Sequence, residues 1–168
     1  MSISTKFETF NNNIRISQDN QNKISSRYKQ ITKRLNLDFY GSDSETNHSL
    51  YVGSYGRDTD IHVSDVDMLF QLSYKVYEQY NKYSGNKQSA LLQAVKVSLQ
   101  KTYSTSHIKG DGQVIGINFN DGICFEIVPC FINNDNSFTY PDTNNGGNWR
   151  TTNPKPEIKE IGDKNQEW

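Results

Sequence analysis

The chain has 168 residues, a formal net charge of −1 and 33% hydrophobic residues. The length suits one domain with a buried core, and the near-neutral charge argues against a protein that binds long nucleic acid through bulk charge. Ten tyrosines and eight phenylalanines supply bulk for that core, which excludes wholesale disorder.

The first half of the chain predicts a helix, a linker and a strand. Apolar residues recur at helical spacing from about residue 4 to residue 37, with a polar interruption near Asp19. We therefore assign an N-terminal helical segment to residues 1–40 and the main core, with a loop-rich C-terminal part, to residues 41–168. Residues 41–49 form a polar linker, and a glycine turn then leads into a strand over Val63–Leu72.

The second half predicts a helix followed by two strands. Residues 86–103 place Leu91, Val95 and Leu99 on one helical face. The strands Gln113–Phe119 and Ile123–Phe131 flank Asp121-Gly122, a pair typical of tight turns. From residue 133 the composition indicates loops, with a new element beginning around Glu157–Ile161. This order favours an α/β or α+β fold with a mixed sheet backed by helices.

Two short motifs indicate a phosphate-binding turn next to a metal-binding pair of carboxylates. Gly53-Ser54 lets the backbone approach a phosphate and offers N–H and hydroxyl donors to its oxygens. Asp65 and Asp67 lie two apart in a strand, so their carboxylates project from one face. Hard oxygen ligands of this kind suit Mg²⁺ or Mn²⁺ bound together with substrate phosphates.

A third carboxylate lies in the later apolar strand. Glu126 is the single charge in the run ICFEIVPCF and faces away from Ile123, Phe125 and Ile127. A lone carboxylate in an apolar strand is costly to bury without a partner, and a metal shared with Asp65 and Asp67 supplies one. Three carboxylates around two cations suit nucleotidyl transfer.

Each motif alone has a simpler interpretation as a turn, a solvated loop or an edge residue, and the conjunction carries the hypothesis. Arg57 reaches either a phosphate or a nearby carboxylate, Asp58 or Asp60, and the sequence leaves both open. Cys124 and Cys130 lack a CxxC spacing, so we expect buried thiols in a reducing compartment. Because no signal peptide or membrane-length apolar run is visible, we expect a cytoplasmic protein.

The run VGSYGRDTDIHVSDVDMLF resembles the signature of the polymerase-β-like nucleotidyltransferase superfamily. Together with FEIVPCF and FTYPDTNNGGNWRTTNPKPEI, it resembles the bacterial cGAS/DncV-like cyclic-oligonucleotide synthases, over most of the chain from about Tyr51 to Ile158. The resemblance implies NTP substrates, two Mg²⁺ ions, pyrophosphate release and a role in defence against phage, in which the cyclic product activates an effector protein. From the hydropathy and the net charge, we expect neither a membrane nor a sequence-specific nucleic acid as a partner.

The resemblance also assigns residues. Nucleotide binding falls on Gly53 and Ser54, with Arg57 as a further candidate, and metal binding and catalysis fall on Asp65, Asp67 and Glu126. Many relatives carry Asp at the third metal position, where this chain has the longer Glu126. Relatives continue into a C-terminal helical domain, which we expect to be absent or incomplete here. Two alternatives therefore stay open: a minimal nucleotidyltransferase that modifies protein or RNA, and an inactive nucleotide-binding fragment.

Overall fold

The computed structural model describes residues 2–59 and 65–166. Six helices and seven strands occupy these ranges. The helices are α1 Ile3–Ile14, α2 Gln18–Tyr40, the single turn α3 Gly53–Gly56, α4 Tyr74–Asn81, α5 Lys87–Gln100 and α6 Lys155–Gln166. The strands are β1 Ser49–Tyr51, β2 Asp65–Gln71, β3 His107–Asp111, β4 Val114–Asn118, β5 Cys124–Ile132, β6 Phe138–Asp142 and β7 Asn148–Thr152.

The strands form one mixed sheet in the order β1-β2-β5-β4-β3, and β6 and β7 extend it from the end of β5. Strands β2 and β5 run parallel, and every other pairing is antiparallel. The three predicted strands are therefore neighbours in one sheet, as expected. The first two residues of the strand predicted at Val63–Leu72 lie outside the described residues.

The core lies between one face of this sheet and the helices α2 and α5. Strand alternation turns Val66, Met68 and Phe70 of β2, and Phe125 and Ile127 of β5, towards this layer, where all five are fully buried. They pack with the buried stripes of the two helices, which comprise Ile24, Ile31 and Leu35 of α2 and Leu91, Val95 and Leu99 of α5. The predicted helix over residues 86–103 therefore packs on the back of the sheet. The opposite face carries the acidic residues at one end of β2 and β5 and a smaller buried cluster around Leu69, Cys130 and Phe138 further along.

Helix boundaries follow capping residues. The interruption predicted near Asp19 falls at Ser17, whose hydroxyl accepts a hydrogen bond from the Asn20 N–H at 3.3 Å and caps α2. Gly41, with φ +65°, ends the same helix in the left-handed conformation. At the next turn of interest, Gly122 adopts φ +87° between β4 and β5, which confirms the predicted Asp121-Gly122 turn.

Two regions differ from the sequence prediction. The prediction of loops after residue 133 is wrong, because β6 and β7 form a hairpin there. The sequence does not predict this hairpin for two reasons. Pro141 lies within β6, and the mostly polar sequence NWRTT of β7 shows no alternation of apolar and polar residues. The new element predicted around Glu157–Ile161 is confirmed as helix α6. The polar segment after Leu72 contains helix α4, in which tyrosines recur every three residues and Tyr77 packs against Phe131 and Trp149.

Among the helices of residues 2–59 and 65–166, none combines the length and the apolar character needed to cross a membrane.

Candidate metal and triphosphate site

The parallel pairing of β2 and β5 places three carboxylates on one face of the sheet. Asp67 lies directly opposite Glu126, and Asp65 lies opposite Cys124. Parallel strands lie about 4.8 Å apart, so these side chains are immediate neighbours. They occupy the face away from the buried stripes of both strands, with Asp65 exposed and Asp67 and Glu126 half-buried. The structure therefore brings together the acids that the sequence proposes as metal ligands.

The three carboxylates repel one another. Burial, followed by the charge of Asp65, raises the pKa of Asp67, which the Arg57 guanidinium lowers in part. Burial, followed by the charges of Asp67 and then Asp65, raises the pKa of Glu126. The negative charge of Asp65 thus disfavours ionisation of Asp67, and the charges of both disfavour ionisation of Glu126. Neighbouring carboxylates that share a cation show this kind of mutual repulsion.

Gly53 lies against the central acid of this group. Its φ is +63°, and a Cβ at this position would lie 2.0 Å from Oδ2 of Asp67. The preceding residue fixes this approach, because the Val52 N–H donates to the Asp67 carbonyl oxygen at 3.0 Å. A glycine is required here both by the positive φ and by the contact with Asp67. The proposed phosphate-binding motif, Gly53-Ser54, therefore contacts the proposed metal-binding motif at Asp67.

Ser54 and Arg57 are carried by the single helical turn that starts at Gly53. The Arg57 N–H donates to the carbonyl oxygens of Gly53 at 3.3 Å and Ser54 at 3.2 Å, which closes the turn. The Arg57 guanidinium Nη1 lies 3.5 Å from Oε1 of Glu157 in helix α6. The sequence proposed Asp58 or Asp60 as the carboxylate partner of Arg57, whereas the ion pair in the structure is with Glu157, far along the chain. Asp60 lies outside the described residues, and the alternative of a bound phosphate stays a prediction.

The fit of a divalent cation rests on donor chemistry and strand placement. Within residues 2–59 and 65–166, no three carboxylate, thiol or imidazole groups converge closely enough to hold an ion in this conformation. The donors nevertheless share one face on adjacent positions of paired strands, and rotation about the side-chain bonds brings neighbouring carboxylates together. All three are hard oxygen donors whose mutual repulsion a cation relieves, so they fit Mg²⁺ or Mn²⁺.

Sequence reasoning missed two residues at this site. Cys124 lies on the acid face opposite Asp65, and burial followed by the charges of Asp65, Glu126 and Asp67 raises the pKa of its thiol. Its alternation with Phe125 already indicates this face from the sequence, but not a place beside Asp65. The thiol of Cys124 is half-buried rather than buried as expected, whereas Cys130 is buried. Glu157 contacts Arg57 across a separation of 100 residues in numbering, a pairing that no local pattern reveals.

Comparison with known families decides the relationship. The family model of the SMODS domain, the Second Messenger Oligonucleotide or Dinucleotide Synthetase domain, matches residues 1–165. The chain belongs to the SMODS family. Among curated proteins, none matches this chain significantly.

Solved structures with a similar fold include several bacterial nucleotidyltransferases. CdnG of Bradyrhizobium diazoefficiens, in complex with GTP, superposes with a TM-score of 0.70 at 15% identity, over 90% of this chain and 43% of that one. The CdnC of Escherichia coli MS115-1, in complex with HORMA-deltaN, gives 0.65 at 13% identity, over 97% of this chain and 50% of that one. The CdnE cyclic dinucleotide synthase of Elizabethkingia meningoseptica, with GTP and Apcpp, gives 0.56 at 18% identity, over 86% and 58%.

At these identities the likeness shows the fold alone. The SMODS chain has the polymerase-β-like nucleotidyltransferase fold of these enzymes, with a mixed sheet backed by helices. It spans between 43% and 58% of the length of the three structures described.

Proposed function

We propose that this SMODS chain carries the metal- and triphosphate-binding part of an enzyme that joins NTPs into a cyclic di- or trinucleotide and releases pyrophosphate. The observation that carries the proposal is the row of Asp65, Asp67 and Glu126 on one sheet face, with Gly53 in contact with Asp67. Family membership and the nucleotide-bound state of the similar structures support the same substrate class.

The three acids would hold the cations in their ionised form. Two bound Mg²⁺ or Mn²⁺ ions would activate the attacking hydroxyl and stabilise the leaving pyrophosphate. Asp67 is central in this arrangement, because it lies beside Glu126 across the strands and two residues from Asp65. Its raised pKa means that its ionised form is destabilised in the absence of metal, so a nearby cation would stabilise that form.

The turn at Gly53 would bind the triphosphate. Its backbone approaches the acid face without a side chain in the way, and Ser54 offers a hydroxyl and an N–H donor next to it. Arg57, at the end of the same turn, supplies a guanidinium whose charge already acts on Asp67. The turn and the acids together would orient the α-phosphate for in-line attack.

The proposed biological role is a signal in anti-phage defence, in which the cyclic product activates an effector protein of the same system. Regulatory partners are proposed on the same basis. A similar structure from Escherichia coli is bound to HORMA-deltaN, which shows that the fold accommodates a protein partner in that case.

A labelling experiment tests the proposed function. The chain is incubated with labelled NTPs and Mn²⁺ and then with phosphatase, beside the Asp67→Asn variant. We expect a small phosphatase-resistant product from the unmodified chain and none from the variant. A labelled protein or RNA instead would replace the proposal with a minimal macromolecule-modifying nucleotidyltransferase. Absence of any labelled product would reduce the chain to a nucleotide-binding fragment.

A further inference from the structure

Helix α6 reaches the proposed triphosphate turn through an ion pair. Glu157 lies in the first turn of α6, and its Oε1 is 3.5 Å from Nη1 of Arg57. The Arg57 side chain is 27% exposed and that of Glu157 is 59% exposed. The Glu157 side chain is thus more exposed to solvent than that of Arg57. The helical turn that ends at Arg57 begins at Gly53, so the Arg57–Glu157 ion pair connects α6 to the proposed phosphate-binding turn.

The charge of Arg57 is shared between two neighbours. Besides its pairing with Glu157, it acts on Asp67 and lowers the pKa of that carboxyl against burial and the Asp65 charge. The charge of the guanidinium is therefore felt at Asp67 as well as at Glu157 of α6. A triphosphate seated at Gly53-Ser54 would bring several negative charges to the same place, and guanidinium groups bind phosphate oxygens in a bidentate manner.

We propose that Glu157 is a positioning residue that occupies Arg57 in the nucleotide-free protein and is displaced by the triphosphate. This inference rests on the proposed function, because it requires a triphosphate at the Gly53 turn. The carboxylate of Glu157 competes for the guanidinium and repels the incoming phosphates. When the triphosphate takes Arg57, the first turn of α6 loses this tether to the sheet.

The coupling works in both directions. If triphosphate loosens α6, then loosening the tether must favour triphosphate binding by the same factor. The pair is long and partly exposed, so its removal should tighten triphosphate binding about two- to fivefold. Helix α6 would thereby report nucleotide occupancy to whatever contacts it.

The test compares three proteins: the unmodified chain, Glu157→Gln and Glu160→Gln. Glu160 is exposed on the same helix, so its substitution removes the same charge from α6 without removing the partner of Arg57. Binding of inorganic tripolyphosphate and of ATP, each with Mn²⁺, is measured by calorimetry. We expect Glu157→Gln to bind both about two- to fivefold more tightly than the unmodified chain, and Glu160→Gln to bind them within about 1.5-fold of it.

Amide hydrogen exchange supplies a readout that does not depend on affinity. The Ile158 N–H donates to the Pro154 carbonyl oxygen at 3.0 Å and reports the first turn of α6. Tripolyphosphate should speed exchange there in the unmodified chain and in Glu160→Gln. In Glu157→Gln, exchange should be fast already and should not respond.

The outcomes separate the two proposals. Equal or weaker binding by Glu157→Gln, with the unmodified chain still binding, overturns the displacement of Glu157 and leaves the proposed function in place. The same holds if tripolyphosphate protects the first turn of α6 in the unmodified chain. If neither the unmodified chain nor Glu157→Gln binds tripolyphosphate or ATP with Mn²⁺, the proposed function falls and this inference falls with it.

Discussion

Gly53 and Asp67 come so close that the space for a Cβ on Gly53 is already taken by the Asp67 carboxylate. The added carbon would lie 2.0 Å from Oδ2 and 2.8 Å from Cγ. The contact joins a turn to a strand 14 positions later in numbering, and the hydrogen bond from Val52 to the Asp67 carbonyl oxygen holds it. A side chain at position 53 must therefore move Asp67, the acid at the centre of the proposed metal site.

Substitution of Gly53 by alanine should abolish metal-dependent nucleotide binding. The φ of +63° alone costs an alanine about 1 kcal/mol of folding free energy, and the Cβ contact displaces the carboxylate in addition. Calorimetry with ATP and Mn²⁺, beside urea unfolding, measures both effects.

Gly41→Ala is the matched control. Gly41 has nearly the same φ, +65°, but no atom lies within 4 Å of a Cβ built there. We expect a similar loss of about 1 kcal/mol in stability with nucleotide binding retained. Equal nucleotide affinity in Gly53→Ala and Gly41→Ala would show that the Gly53–Asp67 contact has no role in binding.

Neutralising the central acid should leave the metal-free protein as stable as before or more stable. Asp67 has a raised pKa, so the folded chain holds its proton more tightly than the unfolded chain does. The stability from this proton is present at acidic pH and is lost as the pH rises through the folded pKa. At neutral pH, Asp67→Asn should therefore raise the free energy of unfolding by up to about 1 kcal/mol without metal, while abolishing turnover.

Thermal unfolding at neutral and acidic pH, in the presence of a chelator, measures this difference. The gain should vanish at acidic pH, where the unmodified carboxyl is protonated. Asp111→Asn, at an exposed strand end of the same sheet, serves as the control and should change neither stability nor turnover. A metal-free Asp67→Asn protein that is clearly less stable at neutral pH would contradict the repulsion among the three acids.

As the pH is lowered, Mn²⁺ binding should be lost at a higher pH than at a site whose carboxyls have ordinary pKa values. Both Asp67 and Glu126 have raised pKa values, so protons compete with the cation earlier as the pH falls. We expect Mn²⁺ to raise the melting temperature at neutral pH and to lose this effect on mild acidification. Glu126→Gln lacks one of the proposed ligands, so Mn²⁺ should raise its melting temperature less than that of the unmodified chain at neutral pH. A Mn²⁺ effect independent of pH would place the cation elsewhere.

The sequence predicts the acid face well because strand alternation is local. Once β2 and β5 are recognised, the orientation of Asp65, Asp67 and Glu126 follows from the two-residue period alone. The register that sets Asp67 opposite Glu126 depends on how the strands slide, which no short motif encodes. The pairing of Glu157 with Arg57 cannot be predicted from the sequence either, because it depends on the tertiary packing of α6 against the turn.

The β6–β7 hairpin was missed for a different reason. Apart from Trp149, its residues Asn148 to Thr152 are polar, so the sequence shows no two-residue apolar alternation there. Backbone pairing with β6 determines the strand instead, from Thr152 opposite Phe138 to Asn148 opposite Asp142. Propensity arguments fail where hydrogen bonds to a neighbouring strand outweigh side-chain preference.

A paired arginine and aspartate should contribute measurably to stability at the back of the molecule. Arg27 of α2 donates from Nη1 and Nη2 to the two carboxylate oxygens of Asp121, at 3.0 and 2.8 Å. Its guanidinium carbon also lies 3.9 Å from the centre of the Phe119 ring. Both side chains are partly shielded, at 19% and 30% exposure, so the pair ties the helix to the turn between β4 and β5.

We expect a double-mutant cycle of Arg27→Ala and Asp121→Asn to give a coupling of about 0.5–1.5 kcal/mol in urea unfolding. The hydrogen bonds from Arg27 are the main reason that the pKa of Asp121 is lowered, so the coupling should be present at neutral pH and fade as the pH falls through that pKa. The more exposed pair Lys33–Glu45, at 44% and 49%, starts from the same helix and provides the comparison. Its coupling should be below about 0.5 kcal/mol, because solvent screens the charges and neither group is held in a bidentate geometry. Equal couplings for the two pairs would show that the shielding and the ring contact of Arg27 add nothing to stability.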